Sequence, residues 1–584
     1  MDRKKSGAIR RTKEGSQDGY RKNPVSHESG TYLKKWDGRI PIGLIYPNTY
    51  HVGMSNLGFQ IVYHMLNQES GLVCERVFLP DTDEEKPRSV ESGRTLENFP
   101  VVLFSVSFEH DYPNLVSILL RGGIEVFTSN RSETIERQSP LVIMGGVAMF
   151  MNPEPLAAIA DLMVIGEFEP LADKLTEKLQ EPDGLQNRAQ FVKELCTSQP
   201  GFYGPQFYTP QYDERGYQIS THAAPGFPER IKKVYLKTKD HAAHSELLTP
   251  NTEFADLYLT ELGRGCSRGC RFCTAGFIYR PPRIWDAGAV LESIRQRPEH
   301  INRIGLLGME MSAPETIDTI AEFIDQQQCS LSFSSLRADR ISERLVELLS
   351  RSGLKSVAIA PDGTSERLRH LINKGLQEQD LIIAAERLTR AGINRIKLYV
   401  MIGLPTECDQ DLDEFLQLIG KIKAVIDPIG KSRGRLCELQ ISVNSFAPKP
   451  WTPFQYHPYG VSRRMERNED QVESALVVKE LKRRRKRLKN GIAGYKNCKV
   501  SFDNPEQVLF QAMLARGDRR IGELLFDMVA KGLSWKQALK HKGLTESLWA
   551  TRQYYEDSYL PWQIIDHAIA DDFLYKEYCK ALEG

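Results

Sequence analysis

Residues 257–277 read LYLTELGRGCSRGCRFCTAGF. The first six, LYLTEL, form a short apolar run of the kind that fills a buried strand. The loop after it places Cys266, Cys270 and Cys273 within eight positions, in a chain with only ten cysteines. Thiolates this close together chelate a metal or a cluster. A structural zinc needs four ligands, usually with a second Cys or His pair about fifteen to twenty residues on. The next candidates are His300 and Cys329, and neither has that spacing. A dithiol redox pair needs two cysteines, not three. Three can hold three irons of a [4Fe-4S] cluster and leave the fourth iron open to a further ligand. Gly263, Gly265 and Gly269 let the loop curl tightly around such a group.

Outward from this stretch, a β/α rhythm continues. RIGLL (303–307), LSFSS (331–335), SVAIA (356–360), RIKLYVM (395–401) and ELQISVN (438–444) read as further strands. Five helical connections between six strands predict a complete or partial (β/α) barrel, with the cysteine loop at the carboxyl mouth where reactive groups gather.

A second, earlier series runs from Arg39. IPIGLIYP (40–47), VVLFSVSF (101–108), IEVFTS (124–129), LVIMGG (141–146) and LMVIG (162–166) have the unbroken apolar character of strands buried on both faces. Amphipathic stretches such as NLGFQIVYHMLNQ, from Asn56, lie between most of them. The alternation predicts a doubly wound, Rossmann-like domain. The fold class is therefore α/β, and the expected organisation has five parts. Residues 1–35 form a disordered basic tail and 36–184 the Rossmann-like domain. Residues 185–250, rich in Pro, Gly and Tyr, form a linker with a small β element. Residues 251–460 form the barrel and 461–584 a helical region.

Bulk properties narrow the function. The chain has 584 residues, too many for one core, and a formal net charge of +1. No global charge points to nucleic acid. The longest apolar run, LVIMGGVAMFM from Leu141, is about half what a bilayer crossing needs. The first thirty residues are basic and polar without an apolar core, unlike a secretory signal. The other cysteines, Cys74, Cys196, Cys329, Cys408, Cys437, Cys498 and Cys579, are scattered singly. That is no secreted disulfide framework, and a reducing cytoplasm is expected. The basic run LKRRRKRLK (481–489) reads as the solvated face of a helix.

C-x3-C-x2-C with an aromatic, Phe272, before the last cysteine resembles the signature of the radical S-adenosylmethionine (SAM) superfamily over roughly residues 250–460. The resemblance implies a six-stranded partial barrel and cluster ligation by Cys266, Cys270 and Cys273. It implies SAM on the open iron, split by one electron to a 5′-deoxyadenosyl radical, with Phe272 near the adenine. LLGMEMS resembles the superfamily's glycine-glycine-glutamate motif, here Gly308-Met309-Glu310 with a departure in the middle, and Glu310 would pair with the SAM ammonium. Ser335 and Arg337 in SFSSLRADRI, Asp362 in APDGTSERLRHLINKG, and Met401 and Gly403 in LYVMIGLPTE resemble stretches around the ribose, carboxylate and adenine. A reductant such as ferredoxin or flavodoxin is implied as a partner, and no membrane or nucleic acid.

A Rossmann-like domain ahead of such a core resembles the cobalamin-binding subclass. YPNTYHVGMSNLG (46–58), MGGVAMFMNPEPLA (144–157) and DLMVIGEFEP (161–170) carry that likeness. It implies corrinoid contacts from Met54, Ser55, Asn56, Ser105, Ser107, Gly145 and Gly146. The D-x-H-x-x-G motif that supplies a lower cobalt ligand is absent, and His51, although in the right loop, lacks its flanking residues. The leading expectation is a cobalamin-dependent radical SAM methyltransferase acting on an unactivated carbon. Two alternatives stay open: a radical SAM oxidoreductase without cobalamin, and an RNA-modifying enzyme related to tRNA methylthiotransferases. The latter family carries a second cysteine triplet near its amino terminus, whereas residues 1–185 here hold only Cys74.

Overall fold

The computed structural model describes residues 24–308, 314–333, 336–463 and 471–583. The first sheet holds β1 (Ile40–Tyr46), β2 (Leu72–Phe78), β3 (Val101–Ser105), β4 (Leu141–Gly145), β5 (Leu162–Val164) and β6 (Phe202–Tyr203), in the order β2-β1-β3-β4-β5-β6. The first five are parallel and β6 runs antiparallel to β5. Alternate residues feed opposite faces: Ile42, Leu44, Leu103 and Ile143 one core, Ile45, Phe104, Val142 and Met144 the other. Both faces are covered, which is why these strands read as continuous apolar runs.

Four readings of this domain change. IEVFTS is not a strand: β3 and β4 are direct neighbours and leave no slot between them. Ile124 and Val126 are buried there as a loop instead. The strand that was missed is β2, LVCERVF, whose Glu75 and Arg76 interrupt the apolar pattern although every residue in it is buried. Arg76 is tolerated because Glu28 and Glu91 both hold it, each at 2.6 Å. Glu28 belongs to the stretch expected as a tail, so the chain is folded from Pro24 onward, and only residues 1–23 of that tail lie outside the described residues. The linker also starts later than residue 185, because the helix Arg188–Ser198 and β6 complete the first domain. The small β element is the hairpin β7 (Tyr208–Tyr212) and β8 (Gln218–Ala223), followed by β9 (Ile231–Lys232).

The second series contains all six expected strands. They are β10 (Tyr258–Glu261), then, after the short pair β11 (Gly263–Arg264) and β12 (Arg283–Ile284), β13 (Arg303–Leu307), β14 (Ser330–Phe333), β15 (Ser356–Asp362), β16 (Arg395–Ile402) and β17 (Glu438–Ser445). β10-β13-β14 form one parallel sheet. A parallel bridge from Leu336 to Ile359 carries the order on to β15-β16-β17.

The region after Trp451 is not purely helical. β18 (Cys498–Phe502) adds a seventh parallel strand beside β17, and β19 (Ile565–Asp566) pairs with β9. The basic run lies in the helix Ser474–Ile492, which connects β17 to β18. Four of its charges are paired within the fold. Arg483 pairs with Asp409 and Glu480, Arg487 with Asp413, Lys482 with Glu506, and buried Arg484 with buried Glu407.

The carboxy-terminal region also covers the first domain. Phe526 packs on Phe127 at 5.2 Å, and Asn152 donates to the carbonyls of Ala515 and Gly517. Among the described residues no helix is long and apolar enough to cross a membrane.

Candidate active site

The cysteine loop leaves the carboxyl end of β10 and is closed at its neck. β11 pairs antiparallel with β12, Gly263 opposite Ile284 and Arg264 opposite Arg283, so residues 265–282 form a tied loop. Gly265 sits at φ +89, and a Cβ there would meet the Tyr279 carbonyl at 2.7 Å. Only glycine meets both demands at once.

The loop is held at several points, from outside and from within. Asn373 donates through Nδ2 to the Gly269 carbonyl at 3.1 Å. The Arg271 amide donates to the Ile372 carbonyl, and Arg280 Nε to the Gly276 carbonyl at 2.7 Å. Lys233 Nζ donates to the carbonyls of Ile278 and Arg280. Burial lowers the pKa of Lys233 to about 8, with Glu167 opposing.

Cys266, Cys270 and Cys273 are free thiols, each partly exposed. Burial pushes the Cys270 thiol up to about 11, against the pull of Lys374; Cys273 is raised by burial as well. Iron reverses this, because a coordinated thiol is deprotonated outright. Among the described residues no three His, Cys, Asp or Glu side chains converge as one bound metal ion requires. A [4Fe-4S] cluster makes a different demand, since each thiolate takes its own iron. Three free, mutually influencing thiols on one tied loop fit that group.

Beside the thiols, Asp362 ends β15 at φ +62 and pairs with Lys374 at 2.5 Å. Burial raises the Asp362 pKa, with Lys374 and Arg337 opposing. Arg337 lies 2.8 Å from Asp339 and donates to the Gly375 carbonyl at 3.3 Å. The fold thus gathers the cysteines, Asp362, Lys374 and Arg337. Phe272 and Met401 pack partly buried against the core, and Gly308 is exposed after β13. Gly403 directly follows β16: a Cβ on it would be 2.8 Å from Leu481, and its amide donates to Glu407. Met309, Glu310 and Ser335 lie outside the described residues. Lys374 and Asn373 were missed as site residues. Their signal was the turn INKG after β15, where Asn373 and Gly375 both take positive φ.

The expected corrinoid face lies at the carboxyl ends of β1, β3 and β4. The strand order 2-1-3-4-5 reverses direction between β1 and β3, where doubly wound sheets bind ligands. Several residues expected to meet a cofactor make internal bonds instead. Met54 is buried and accepts from Arg76. Asn56 caps the helix Leu57–Gln68 and donates to Ser107 Oγ at 3.2 Å. Ser55 accepts from the Glu253 amide, and His51 lies 3.5 Å from Glu253. Ser105 is buried at the end of β3, and a Cβ on Gly145 would be in ordinary contact with Val164. Gly146, at φ +100, is needed for the chain's own Val106, whose carbonyl would lie 2.4 Å from a Cβ. The same face exposes Phe108, at 56%, and Val52. It also buries Asp111, whose Oδ2 has no partner and whose pKa burial raises to about 6.

Two family models match the chain. Residues 58–205 match "Radical SAM proteins, N-terminal", and residues 260–419, spanning the cysteine loop and β10 to β16, match "Radical SAM superfamily". The chain belongs to the radical SAM superfamily. It is thus a radical SAM enzyme, and the family implies a [4Fe-4S] cluster and SAM. An uncharacterized protein of Methanocaldococcus jannaschii is 26% identical to this radical SAM protein over 490 residues, covering 83% of this chain and 90% of the relative. Among solved structures, the cobalamin-dependent SAM radical enzyme OxsB with aqua-cobalamin and SAM bound is 14% identical, covering 86% of this chain and 83% of that one, with a TM-score of 0.43. OxsB with aqua-cobalamin alone is 16% identical at a TM-score of 0.40; the match covers 65% of this chain and about half, 52%, of that one. Coproporphyrinogen III oxidase of Escherichia coli is 14% identical over 33% of this chain and 44% of its own, at a TM-score of 0.24.

Proposed function

We propose that this radical SAM enzyme is a cobalamin-dependent methyltransferase acting on an unactivated carbon. The carrying observation is the tied loop of three free thiols with no fourth, set beside Asp362, Lys374 and Arg337. When bound, the cluster supplies the electron that breaks a carbon–sulfur bond of SAM, and a corrinoid supplies the methyl group. Cys266, Cys270 and Cys273 would hold the cluster. Lys374 and Arg337 offer cationic partners for a carboxylate, and Asp362 an acceptor for an amino group. Asn373, Lys233 and Arg280 keep the loop from moving as the ligands bind. Each turnover of this kind consumes electrons from outside, so a small reductant such as ferredoxin or flavodoxin is the proposed partner, in a reducing cytoplasm.

For cobalamin the supporting features are the switch point itself, the exposed Phe108 and Val52, and the unpartnered Asp111 oxygen, which suits an amide donor. The corrinoid would bind without a protein ligand under cobalt, because His51 faces Glu253. Engagement of Gly146 and Asn56 in the fold's own bonds favours the second reading, a radical SAM oxidoreductase without a corrinoid. Anaerobic purification, reconstitution with iron, sulfide and hydroxocobalamin, and measurement of bound corrinoid per chain separates the two. About one per chain is expected. None, with the cluster intact, leaves the oxidoreductase.

A further inference from the structure

The helix Phe573–Glu583, near the end of the described chain, reaches the cysteine loop directly. Arg271 lies between two of the three cysteines, directly after Cys270. Its side chain turns away from the loop and is only 10% exposed. Nη1 donates to the Leu371 carbonyl at 2.8 Å, while Nε and Nη2 both point at one oxygen of Glu577, at 3.3 and 3.1 Å. The Arg271 backbone is fixed as well. Its amide donates to the Ile372 carbonyl, and its carbonyl accepts from the Phe454 amide.

This helix has an anchor besides Glu577. Tyr578 provides it, with its hydroxyl 2.9 Å from His457 Nδ1 and its ring against Phe454 and Tyr456. His457 Nε2 lies 2.7 Å from the Val461 carbonyl, so it carries the proton there and Nδ1 accepts from Tyr578. The carboxylate of Glu577 is thus presented to Arg271 by an element anchored elsewhere. A guanidinium this buried is poorly screened by water, so its charge is felt nearby unless a carboxylate balances it.

We propose that Glu577 is a positioning residue for the cluster: through Arg271, the residue after Cys270, it fixes the cysteine loop and neutralises the buried positive charge that the loop carries there. The inference rests on the radical SAM reading of the loop. A positive charge favours the more negative, reduced cluster, so the balanced pair keeps the cluster hard to reduce and strongly reducing once it holds an electron.

The test uses the anaerobically reconstituted full chain. Iron and sulfide content of the wild type comes first, and absence of a cluster there would remove the underlying reading rather than this inference. With the cluster present, Glu577→Gln is expected to raise its midpoint potential and to speed iron loss to a chelator by roughly tenfold, the factor that about 1.4 kcal/mol of lost interaction gives. Glu577→Asp, which keeps the charge but withdraws it by one methylene, is expected to shift the potential the same way by less, and serves if Glu577→Gln does not accumulate. A thermal melt checks that Tyr578 still anchors the helix. With the helix still anchored in the melt, a potential that stays at the wild-type value or falls overturns the proposal, whatever the rate of iron loss.

Discussion

Arg283 grips Glu167 with both ends of its guanidinium, Nη2 to Oε1 at 2.5 Å and Nη1 to Oε2 at 2.8 Å. Glu167 follows β5 of the first sheet, and Arg283 closes the neck of the cysteine loop. Arg264, across that neck, reaches Glu167 at 3.1 Å and Glu169 at 2.7 Å. The first domain therefore holds the cluster loop by its base.

Removing this carboxylate leaves buried Arg283 without an acidic partner, while Arg264 keeps Glu169 and Glu261. Glu167→Gln is expected to cost about 3–5 kcal/mol, read as a lower melting temperature and denaturant midpoint. Burial works to raise the Glu167 pKa, but the hydrogen bond from Arg283 and the charges of Arg264 and Arg283 outweigh it and hold the carboxyl below its ordinary value of 4.5. A depressed acid contributes stability above its unfolded pKa and loses it as pH falls through the folded one. The gap between wild type and variant should narrow on acidification below 4.5.

Each of Cys266→Ala, Cys270→Ala and Cys273→Ala is expected to abolish reductive SAM cleavage, measured as 5′-deoxyadenosine under strong reductant. Product at wild-type levels from any of the three would contradict cluster ligation by this loop.

Gly146 and Gly145 should respond differently to the same change. Gly146→Ala forces a Cβ to 2.4 Å from the Val106 carbonyl at φ +100. It is expected to destabilise by about 1–3 kcal/mol or more. Gly145→Ala meets Val164 only at 3.6 Å and should melt near wild type. Equal melting temperatures would show that the close approach to Val106 is not a constraint.

Glu407 provides a pH signature. Burial raises its pKa to about 7, against the charge of Arg484. The folded state then holds the proton more tightly than the unfolded chain. This stability is fully present below 4.5 and is lost as pH rises through about 7. Wild type should therefore weaken relative to Glu407→Gln between about pH 5 and 8. A flat difference curve in chemical denaturation would rule this out.

Neutralising Lys482, Arg483 and Arg487 together should leave any copurifying RNA unchanged, because these cations already face Glu506, Asp409, Glu480 and Asp413. Loss of bound RNA in that variant would reopen the RNA-modifying reading.

Legibility in the sequence followed the range of the forces involved. Strands β1, β3 and β4 were readable because burial on both faces writes an apolar run into consecutive residues, and β15 to β17 because every second residue is buried and nearly all of these are apolar. The cysteine triplet was readable because cluster ligation is local in sequence. β2 escaped because Arg76 is made tolerable by Glu28 and Glu91, at separations of 48 and 15 residues. β18 escaped because its alternating, half-exposed pattern lies behind a basic helix whose partners sit on the preceding helix Asp409–Ser432.

The same division holds at the site. The amino-acid order alone set the three thiols, the glycines of their loop and the two β/α series, because each depends on neighbours a few positions apart. The fold alone decided that Lys374 stands by Asp362, that Glu167 ties the neck of the loop and that Glu577 balances Arg271. Those contacts join residues up to 306 positions apart. Charge pairing of that kind follows from position in space, which composition and spacing along the chain do not encode.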